Sequence, residues 1–359
     1  MLDYLVLHRD RVVAKDELLE RLWEGTHVTE GSLQRAVSLA RAALGERGHE
    51  MLRTFPKQGY RFVASEPATA EEIPRPRYAD NGGVHLAYYT LGSAETGIDI
   101  VYVAGWAVPA RSLLHHPKMR AHCEELTQLG RVILFDKRGT GQSDRPKVLP
   151  DLSCRMQDLV AILDSLGSDR AVLIGVSEAA PLSLLFAATH PARTLGLVLV
   201  GAFARMSRGP GYPHGWSREQ IERLRGYIRR DWGLGSTILA AFGGKEPSQA
   251  DREWSAIAEQ QGASPGAALE LLEMNLEADV RGILKDVSVP VELVHSASDA
   301  VMPVGASRFL ASELPNAQYE ELPGSDHAFF LAEPGFWLER VRRVLARRLP
   351  DEPDGVRKR

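Results

Sequence analysis

Three side chains that lie far apart in the sequence could together perform nucleophilic catalysis. Ser177 stands in the segment GVSEA, Asp299 in SASDAVMPV and His327 in GSDHAFF. A serine hydroxyl at its ordinary pKa is a weak nucleophile, so it needs a base that removes its proton and an acid that orients that base. Because serine, aspartate and histidine follow one another in a known catalytic order, the sequence predicts acyl transfer through Ser177.

The backbone around Ser177 must place the hydroxyl at a sharp turn from a strand into a helix. A buried-strand pattern, AVLIGV at 171–176, precedes the serine, and the helical pattern APLSLLFAATH follows it. Gly175 and Ala179 are small enough to let the strand and the helix approach closely, although alanine replaces the more usual glycine at 179. A serine between small residues is also typical of a helix N-cap, but the flanking strand and helix favour the nucleophile.

The acid and the base have alternatives of their own. Asp299 follows the strand pattern VPVELVH, and His327 follows the edge-strand pattern QYEELPG, so the two could also be ordinary turn and loop residues. Asp326 competes with Asp299 for the role of the acid. A sequence neighbour of His327 cannot easily reach the imidazole nitrogen that points away from Ser177, so we expect Asp299 to be the acid.

Two backbone amides are expected to bind the oxyanion of the reaction. Glu178 follows the nucleophile, and Trp106 follows the strand pattern IDIVYVA in the segment VAGWAVPA. The loss of one such donor raises the barrier by about 2.7 to 4 kcal/mol. The side chains of both residues could line the substrate pocket. Alternatively, the indole could pack in the core and the carboxylate could interact with a helix N-terminus.

The elements that must position these residues are predicted from their apolar pattern. Five near-continuous apolar runs indicate buried parallel strands at 98–104, 131–136, 171–176, 195–201 and 289–295. Helical patterns separate these runs, so the sequence predicts an α/β fold with helices on both faces of a mostly parallel sheet. QYEELPG adds an edge strand, and LAYYTLG at 86–92 adds an antiparallel strand at the start of the sheet.

Four segments carry a family resemblance. FDKRGTGQSDRP at 135–146, GVSEAAPLSLLFAATHPART at 175–194, SASDAVMPV and GSDHAFF resemble the α/β hydrolases of bacteria that occur fused to regulatory or nucleotide-cyclase modules. The resemblance spans nearly all of residues 78–340 and implies an α/β-hydrolase fold. It also implies that a group of residues forms a structural loop beside the site, without a catalytic role: Asp136, Arg138, Gly139 and Gly141.

The stretch from about 203 to 283 lies between two core strands and is rich in helix formers. In the family that the chain resembles, a helical cap is commonly inserted here and sets specificity. The candidate pocket residues of this cap are Trp216, Trp232, Met274 and Asn275. Aromatic and methionine residues at helical spacing more often belong to a core, and both roles stay open.

The segment EPATAEEIPRPR at 66–77 has almost nothing to bury and indicates a solvated linker. We therefore divide the chain into a first domain at 1–66, a linker at 67–77, a hydrolase domain at 78–350 and a charged tail at 351–359. Within the first domain, helical patterns are followed by the strand patterns MLRTF and YRFVA. Thr29 is the expected N-cap of the longest helix and Gly45 its expected end, which predicts three helices and a terminal hairpin.

Residues 1–64 resemble the response-regulator type of winged-helix DNA-binding domain, through KDELLERLW, LQRAVSLARAALG and RTFPKQGYRFVA. The resemblance implies that the helix from about 32 to 44 enters the major groove and that the hairpin, or wing, lies against phosphates. The candidate DNA contacts are Arg35, Arg41, Arg53, Lys57 and Arg61. The strands that usually open such a domain are missing, and basic residues roughly equal acidic ones, so both DNA binding and a structural remnant stay open.

Composition bounds the remaining possibilities. A hydrophobic fraction of 44%, a charged fraction of 25% and a net charge of -4 are typical of a globular protein, without a global preference for nucleic acid or membranes. Cys123 and Cys154 are the two cysteines, and the charged N-terminus lacks a signal-peptide pattern, so we expect reduced thiols and a cytoplasmic protein. Neither a metal-binding spacing nor a phosphate-binding loop is present, so no metal and no cofactor are expected. The oligomeric state stays open, with a homodimer among the allowed states.

Two functions from different classes follow. The first is a serine hydrolase that cleaves a carboxylic ester or lactone through an acyl-enzyme. Epoxide hydrolases and haloalkane dehalogenases share the fold but use a carboxylate nucleophile, so Ser177 argues against both. The second is a ligand-responsive winged-helix transcription regulator, in which the hydrolase fold serves as the sensor of a small ester or lactone.

Overall fold

The computed structural model describes residues 1–8, 11–23, 28, 30–43, 48–56, 58–63, 73–145, 151–243 and 246–348. The chain divides into two compact units, Met1–Ile73 and Pro74–Arg359. Some sequence predictions fall outside the described residues: the N-cap Thr29, the helix end Gly45, the wing residue Lys57, positions 67–72 of the linker and the tail at 351–359.

The first unit combines short helices with a three-stranded antiparallel sheet. Its described elements are α1 (Leu2–Leu7), β1 (Val13–Ala14), α2 (Lys15–Leu22), α3 (Glu30–Ala43), α4 (Gly48–Met51), β2 (Leu52–Phe55) and β3 (Gly59–Phe62). Both β1 and β2 pair with β3, so the predicted hairpin is present. The sequence patterns did not predict β1 or α4, because two or four residues are too few to show a period.

The core of the first unit is built on one face of α3. Leu33, Val37 and Ala40 recur at helical spacing and are buried together with Leu18 of α2 and Leu52 of β2. This packing joins the helices to the sheet. The winged-helix architecture that the sequence predicts is therefore confirmed for the first unit.

The second unit is organised around an eight-stranded sheet. Its strands are β4 (Arg77–Asp80), β5 (His85–Leu91), β6 (Asp99–Val103), β7 (Arg131–Phe135), β8 (Ala171–Val176), β9 (Thr194–Val200), β10 (Val291–Ser296) and β11 (Ala317–Leu322). Their order across the sheet is β11-β10-β9-β8-β6-β7-β5-β4. The strands from β6 to β11 run parallel to one another, and β5 is antiparallel to both of its neighbours.

Helices lie between these strands and after the last of them. They are α5 (Ala110–His115), α6 (Pro117–Leu126), α7 (Leu152–Ser165), α8 (Ala180–Thr189), α9 (Arg218–Asp231), α10 (Ser236–Leu239), α11 (Gln249–Gly262), α12 (Pro265–Glu277), α13 (Gly305–Glu313) and α14 (Phe336–Arg348). The stretch between β9 and β10 holds α9 to α12, where the sequence predicts a helical cap. Among the described residues, no helix is both long and apolar enough to cross a bilayer.

The predicted mostly parallel sheet is confirmed. The five apolar runs coincide with β6 to β10, and every residue of β6, β8, β9 and β10 is buried. Full burial is expected of central parallel strands, which have neighbours on both faces. The short edge strand β4 was not predicted, because four residues of mixed polarity show no clear alternation.

The parallel arrangement decides which loops meet. The carboxyl ends of β6, β8, β10 and β11 lie at one edge of the sheet, because these strands point the same way. The loops that leave these ends carry Trp106, Ser177, Asp299 and His327. The topology thus collects at one edge residues that are far apart in the sequence.

Candidate active site

Ser177 occupies a strained turn at the end of β8. Its φ is 55°, and a single 3-10 turn at Ser177–Ala179 leads directly into α8. A Cβ on Gly175 would lie 2.7 Å from Ser183 Oγ and 2.9 Å from Leu199 Cδ2, so a side chain here would force these buried residues to shift where the strand meets the helix. The extra methyl group of Ala179 is accommodated in the core, since this residue is 1% exposed.

Asp299 and His327 form a direct pair. His327 Nδ1 lies 2.6 Å from Asp299 Oδ2. The other carboxylate oxygen of Asp299 accepts the backbone N–H groups of Val301 at 2.8 Å and Met302 at 2.9 Å. The carboxylate is therefore fixed in place, with Oδ2 facing the imidazole of His327.

A second histidine shares the same carboxylate. His295, at the end of β10, is fully buried, and its Nε2 lies 3.2 Å from Asp299 Oδ2 and 3.0 Å from the carbonyl oxygen of Met302. Burial by itself would raise the pKa of Asp299, but hydrogen bonds from His295 and His327 outweigh it and hold the pKa well below its usual range. Asp299 therefore stays ionised beside His327. The sequence patterns did not single out His295, because it reads as one residue of a buried strand.

The far nitrogen of His327 is available for chemistry. His327 Nε2 is buried and has no hydrogen-bond partner among the described residues. His327 and Ser177 line the same cavity. The backbone of this histidine is bonded to Ala241, which lies in the stretch between β9 and β10. The N–H groups of His327 and Ala328 both donate to the carbonyl of Ala241, at 2.8 and 2.9 Å.

Asp326 has a different environment from Asp299. Its Oδ1 accepts the N–H of Ala328 at 2.9 Å, and its carbonyl oxygen accepts the hydroxyl of Ser296 at 2.5 Å. The carboxylate in contact with His327 Nδ1 is that of Asp299.

Trp106 has the second strained backbone of the site. Among the described residues, only Trp106 and Ser177 combine a side chain with a positive φ, and the value for Trp106 is 48°. A Cβ on the preceding Gly105 would lie 2.9 Å from the carbonyl oxygen of Val176, so this loop packs directly against the end of β8. The loop that carries the Trp106 amide therefore lies beside the turn that carries the Glu178 amide.

The side chains of Trp106 and Glu178 take different roles. The Trp106 ring packs edge-on against Trp232 of the cap, with ring centroids 6.2 Å apart, and also lines the cavity. The Glu178 carboxylate is buried and accepts a hydrogen bond from Lys137. Glu178 is thus part of an interior ion pair, which its position in the sequence did not reveal.

A cavity of about 340 Å³ lies above Ser177. Five of the apolar side chains that line it were not singled out by the sequence patterns: Met206, Ile238, Phe242, Phe330 and Leu331. They come from separate loops and short helices, so no spacing in the sequence could group them.

The four candidate pocket residues are distributed differently. Trp216 lines the cavity and donates from Nε1 to the carbonyl of Val301 at 2.6 Å, which connects the stretch between β9 and β10 to the loop of Asp299. Trp232, Met274 and Asn275 are not among the residues that line the cavity in the described part of the chain. Trp232 instead donates to the carbonyl of Ala263 at 2.9 Å, and Met274 and Asn275 are buried in α12.

The loop after β7 is held by buried hydrogen bonds. The buried carboxylate of Asp136 accepts the backbone N–H groups of Ala110 at 2.7 Å and Gln142 at 2.8 Å. Burial raises the pKa of Asp136. A Cβ on Gly141, where φ is 51°, would overlap the Asp136 carboxylate, and Arg138 is paired with Asp158 of α7. Gly139 also adopts a positive φ, of 85°.

The candidate DNA contacts of the first unit differ in the exposure and hydrogen bonding of their side chains. Arg35 on α3 and Arg53 on β2 are exposed, and Arg53 lies directly opposite Arg61 of β3. Arg41 instead donates from Nη2 to the carbonyl of Leu52 at 2.7 Å and to Thr54 Oγ1 at 2.9 Å, which ties α3 to the wing. Lys57 lies outside the described residues.

Comparisons with known families agree with this geometry. Residues 130–334 match the family described as alpha/beta hydrolase fold, and residues 1–62 match the family described as transcriptional regulatory protein, C terminal. The first match covers more than half of the chain.

Among curated proteins, the chain is 30% identical to the pimeloyl-[acyl-carrier protein] methyl ester esterase of Chromobacterium violaceum, over 69% of this chain and 93% of that protein. It is also 30% identical to RutD of Caulobacter vibrioides, whose name proposes carbamate hydrolysis, over 71% of this chain and 93% of that protein.

Among solved structures, an esterase from Exiguobacterium antarcticum superposes with a TM-score of 0.67 at 21% identity, covering 76% of this chain and 99% of that one. The enol-lactonase from Burkholderia xenovorans gives a TM-score of 0.63 at 20% identity, covering 75% and 100% of the two chains. At these identities the likeness establishes the fold.

Proposed function

We propose that this chain, which belongs to the α/β-hydrolase family, is a serine hydrolase that cleaves a carboxylic ester or lactone through an acyl-enzyme. The observation that carries the proposal is the pair of His327 Nδ1 and Asp299 Oδ2 at 2.6 Å, in a histidine that lines the same cavity as Ser177 and whose Nε2 has no hydrogen-bond partner in the described part of the chain. This arrangement matches the needs of a nucleophile, a base and an orienting acid.

The first half of the reaction transfers the acyl group to the enzyme. His327 Nε2 takes the proton of the Ser177 hydroxyl as Oγ attacks the carbonyl carbon, and the carbonyl oxygen becomes an oxyanion. The oxyanion accepts hydrogen bonds from the backbone N–H groups of Trp106 and Glu178. Collapse of this intermediate breaks the bond to the leaving oxygen, which takes the proton from His327.

The second half returns the free enzyme. Water gives its proton to His327 and attacks the acyl carbon, and the second oxyanion is bound by the same amides. When this intermediate collapses, the proton passes back to Ser177 Oγ and the carboxylic acid leaves. Asp299 keeps the proton of His327 on Nδ1 throughout, because its ionised carboxylate accepts that N–H.

The cavity indicates the part of the substrate that is recognised. Most of the residues that line it are apolar or aromatic, among them Met206, Trp216 and Phe242. An apolar acyl group is therefore better accommodated than a charged one, since burial of an unpaired charge is costly. The esterase and the lactonase that this chain resembles carry names that state cleavage of an ester and of a lactone, respectively.

A fluorophosphonate probe followed by peptide mapping tests the nucleophile, and a panel of nitrophenyl esters and lactones tests the substrate. We expect the label on Ser177 and a loss of kcat of about 10⁴-fold or more in Ser177→Ala. The matched control is Ser183→Ala, since Ser183 lies on α8 and its hydroxyl donates to the carbonyl of Ala179, its one hydrogen-bond partner among the described residues. A label on any other residue, or a fully active Ser177→Ala protein, would overturn the proposal.

The second candidate function, a ligand-responsive regulator, is favoured by one observation. The first unit matches a family of transcriptional regulators and exposes Arg35 on α3, the helix that would enter the major groove. Fluorescence anisotropy with a pool of random duplexes tests it. Salt-dependent binding that weakens in Arg35→Ala and shifts on addition of an ester ligand supports the regulator, and the absence of binding at low salt contradicts it.

A further inference from the structure

Lys137 places an ammonium group in the interior, behind the loop of Trp106. The residue is 5% exposed and follows Asp136 in the loop after β7. Its Nζ donates to the carbonyl oxygens of Ala104 at 2.9 Å and Trp106 at 2.6 Å, and to Glu178 Oε1. The three donors of the ammonium thus have three acceptors, so Lys137 is fully bonded inside the protein.

The two carbonyl acceptors flank one particular peptide. The carbonyl of Ala104 lies before the Gly105–Trp106 peptide, and the carbonyl of Trp106 lies after it. The N–H of that peptide is the first proposed oxyanion donor. A group that holds the carbonyls on both sides restricts rotation of the peptide between them, so Lys137 limits the directions in which the Trp106 N–H can point.

The third acceptor belongs to the residue that supplies the other donor. Glu178 gives its backbone N–H to the proposed oxyanion hole and its carboxylate to Lys137. The second carboxylate oxygen of Glu178 lies 4.0 Å from Nη1 of the buried Arg155. One ammonium group therefore connects the two residues whose amides must converge on the same oxygen.

Stability alone does not explain this ion pair. A buried pair of charges loses its hydration, and apolar residues of similar volume are often as stable or more stable at such a position. The Trp106 backbone, in contrast, needs external support, because a positive φ is unfavourable for a residue with a side chain. A charge-assisted hydrogen bond to its carbonyl is a strong form of such support.

We propose that Lys137 is a positioning residue of the oxyanion hole, which sets the relative placement of the Trp106 and Glu178 amides through its bonds to both residues. The proposal rests on the proposed function, because an oxyanion hole has a role only if acyl transfer takes place. Lys137 touches no substrate atom in this scheme and acts through the two amides.

The test compares Lys137→Met with the double variant Lys137→Met/Glu178→Gln, which leaves no unpaired carboxylate. In both we expect kcat to fall by about 10- to 100-fold, less than the 10²- to 10³-fold typical of losing a donor altogether. KM should change by less than about threefold, because the ground-state substrate does not carry the oxyanion charge. The affinity of a boronic acid, which forms a tetrahedral adduct with a serine nucleophile, should fall in parallel with kcat.

A matched control separates positioning from folding. Arg131 is paired with Asp99 at 2.7 Å at the amino ends of β7 and β6, the opposite edge of the sheet from the site. We expect Arg131→Met to lower the melting temperature and to leave kcat within about twofold of the wild type. The double variant should recover part of the melting temperature lost in Lys137→Met without recovering kcat.

The outcomes distinguish the two proposals. If the wild type turns over esters and Lys137→Met is folded with an unchanged kcat, or if kcat recovers together with the melting temperature in the double variant, the positioning role is wrong. If the wild type neither turns over any ester or lactone nor reacts with the fluorophosphonate, the proposed function fails and the positioning role fails with it.

Discussion

The replacement Asp299→Asn gives the most direct test of how the proposed base is prepared. One carboxylate oxygen of Asp299 accepts two backbone N–H groups, from Val301 at 2.8 Å and Met302 at 2.9 Å. In an asparagine, only the carbonyl oxygen can accept these bonds, so the NH₂ group occupies the position that faces His327 Nδ1. His295 Nε2, which also faces this position at 3.2 Å, retains the carbonyl oxygen of Met302 at 3.0 Å as its acceptor. The surrounding backbone thus fixes the orientation of the new amide.

The forced orientation reverses the tautomer of the imidazole. The NH₂ group can only donate, so His327 Nδ1 must accept, and the single proton of the neutral ring moves to Nε2. Nε2 then has no lone pair with which to take the proton of Ser177. In serine proteases the corresponding change lowers kcat by about 10⁴-fold, equivalent to about 5.5 kcal/mol in the barrier, and we expect a loss of that order here.

The assay is the kcat of a nitrophenyl ester at neutral pH, with circular dichroism to show that the variant is folded. Asp326→Asn is the matched control, since Asp326 is the adjacent acid and contacts the N–H of Ala328 rather than His327 Nδ1. We expect this control to keep kcat within about tenfold of the wild type. A folded Asp299→Asn protein with nearly full activity, or a larger loss in Asp326→Asn, would refute the reasoning.

Two further predictions follow from the same geometry. Gly201→Ala should reduce kcat more than tenfold, because φ at this position is 60° and the new Cβ would lie 2.3 Å from His327 Cε1. The control is Gly167→Ala, where φ is 59° but the space around the new Cβ is open, so we expect a change in the melting temperature only. Equal effects of the two variants on kcat would contradict the prediction. Asp299 should also stabilise the fold above about pH 4, the value of a free carboxyl. Its folded pKa is lower, so the unfolded chain binds the proton first and this stabilisation is lost as pH falls further. The difference in unfolding free energy between the wild type and Asp299→Asn should therefore shrink below pH 4 in urea titrations, and a constant difference would count against it.

Much of the sheet could be predicted because its central strands are uniformly apolar. AVLIGV coincides with β8, and IDIVYVA and RVILFD match β6 and β7 to within a residue or two at each end. Burial on both faces leaves the sequence little freedom at these positions. The elements that were not predicted, β1, β4 and α4, are short and depend on pairing or packing with distant segments, which no local pattern records.

The residues of the candidate site also differ in how well the sequence predicts them. Ser177, Asp299 and His327 stand at the ends of predictable strands, so their positions follow from topology. His295, Lys137 and Ala241 do not, because each acts through a neighbour that is distant in sequence: Asp299 for His295, the Trp106 loop for Lys137 and the histidine loop for Ala241. A contact between two loops is decided by the whole fold and leaves no spacing to read.

The interior charges around the site explain why its parts must be tested in pairs. The buried residues of this region include three cations and three anions: Lys137, Arg138, Arg155, Asp136, Asp158 and Glu178. Because the two signs balance, removal of one member leaves an uncompensated charge, which costs about 3 to 5 kcal/mol when it is buried. A single substitution therefore lowers stability whatever role the residue has, and a loss of activity measured in it alone does not separate the two effects. A variant that removes both charges of a pair and still has a reduced kcat identifies a residue that positions the reacting groups.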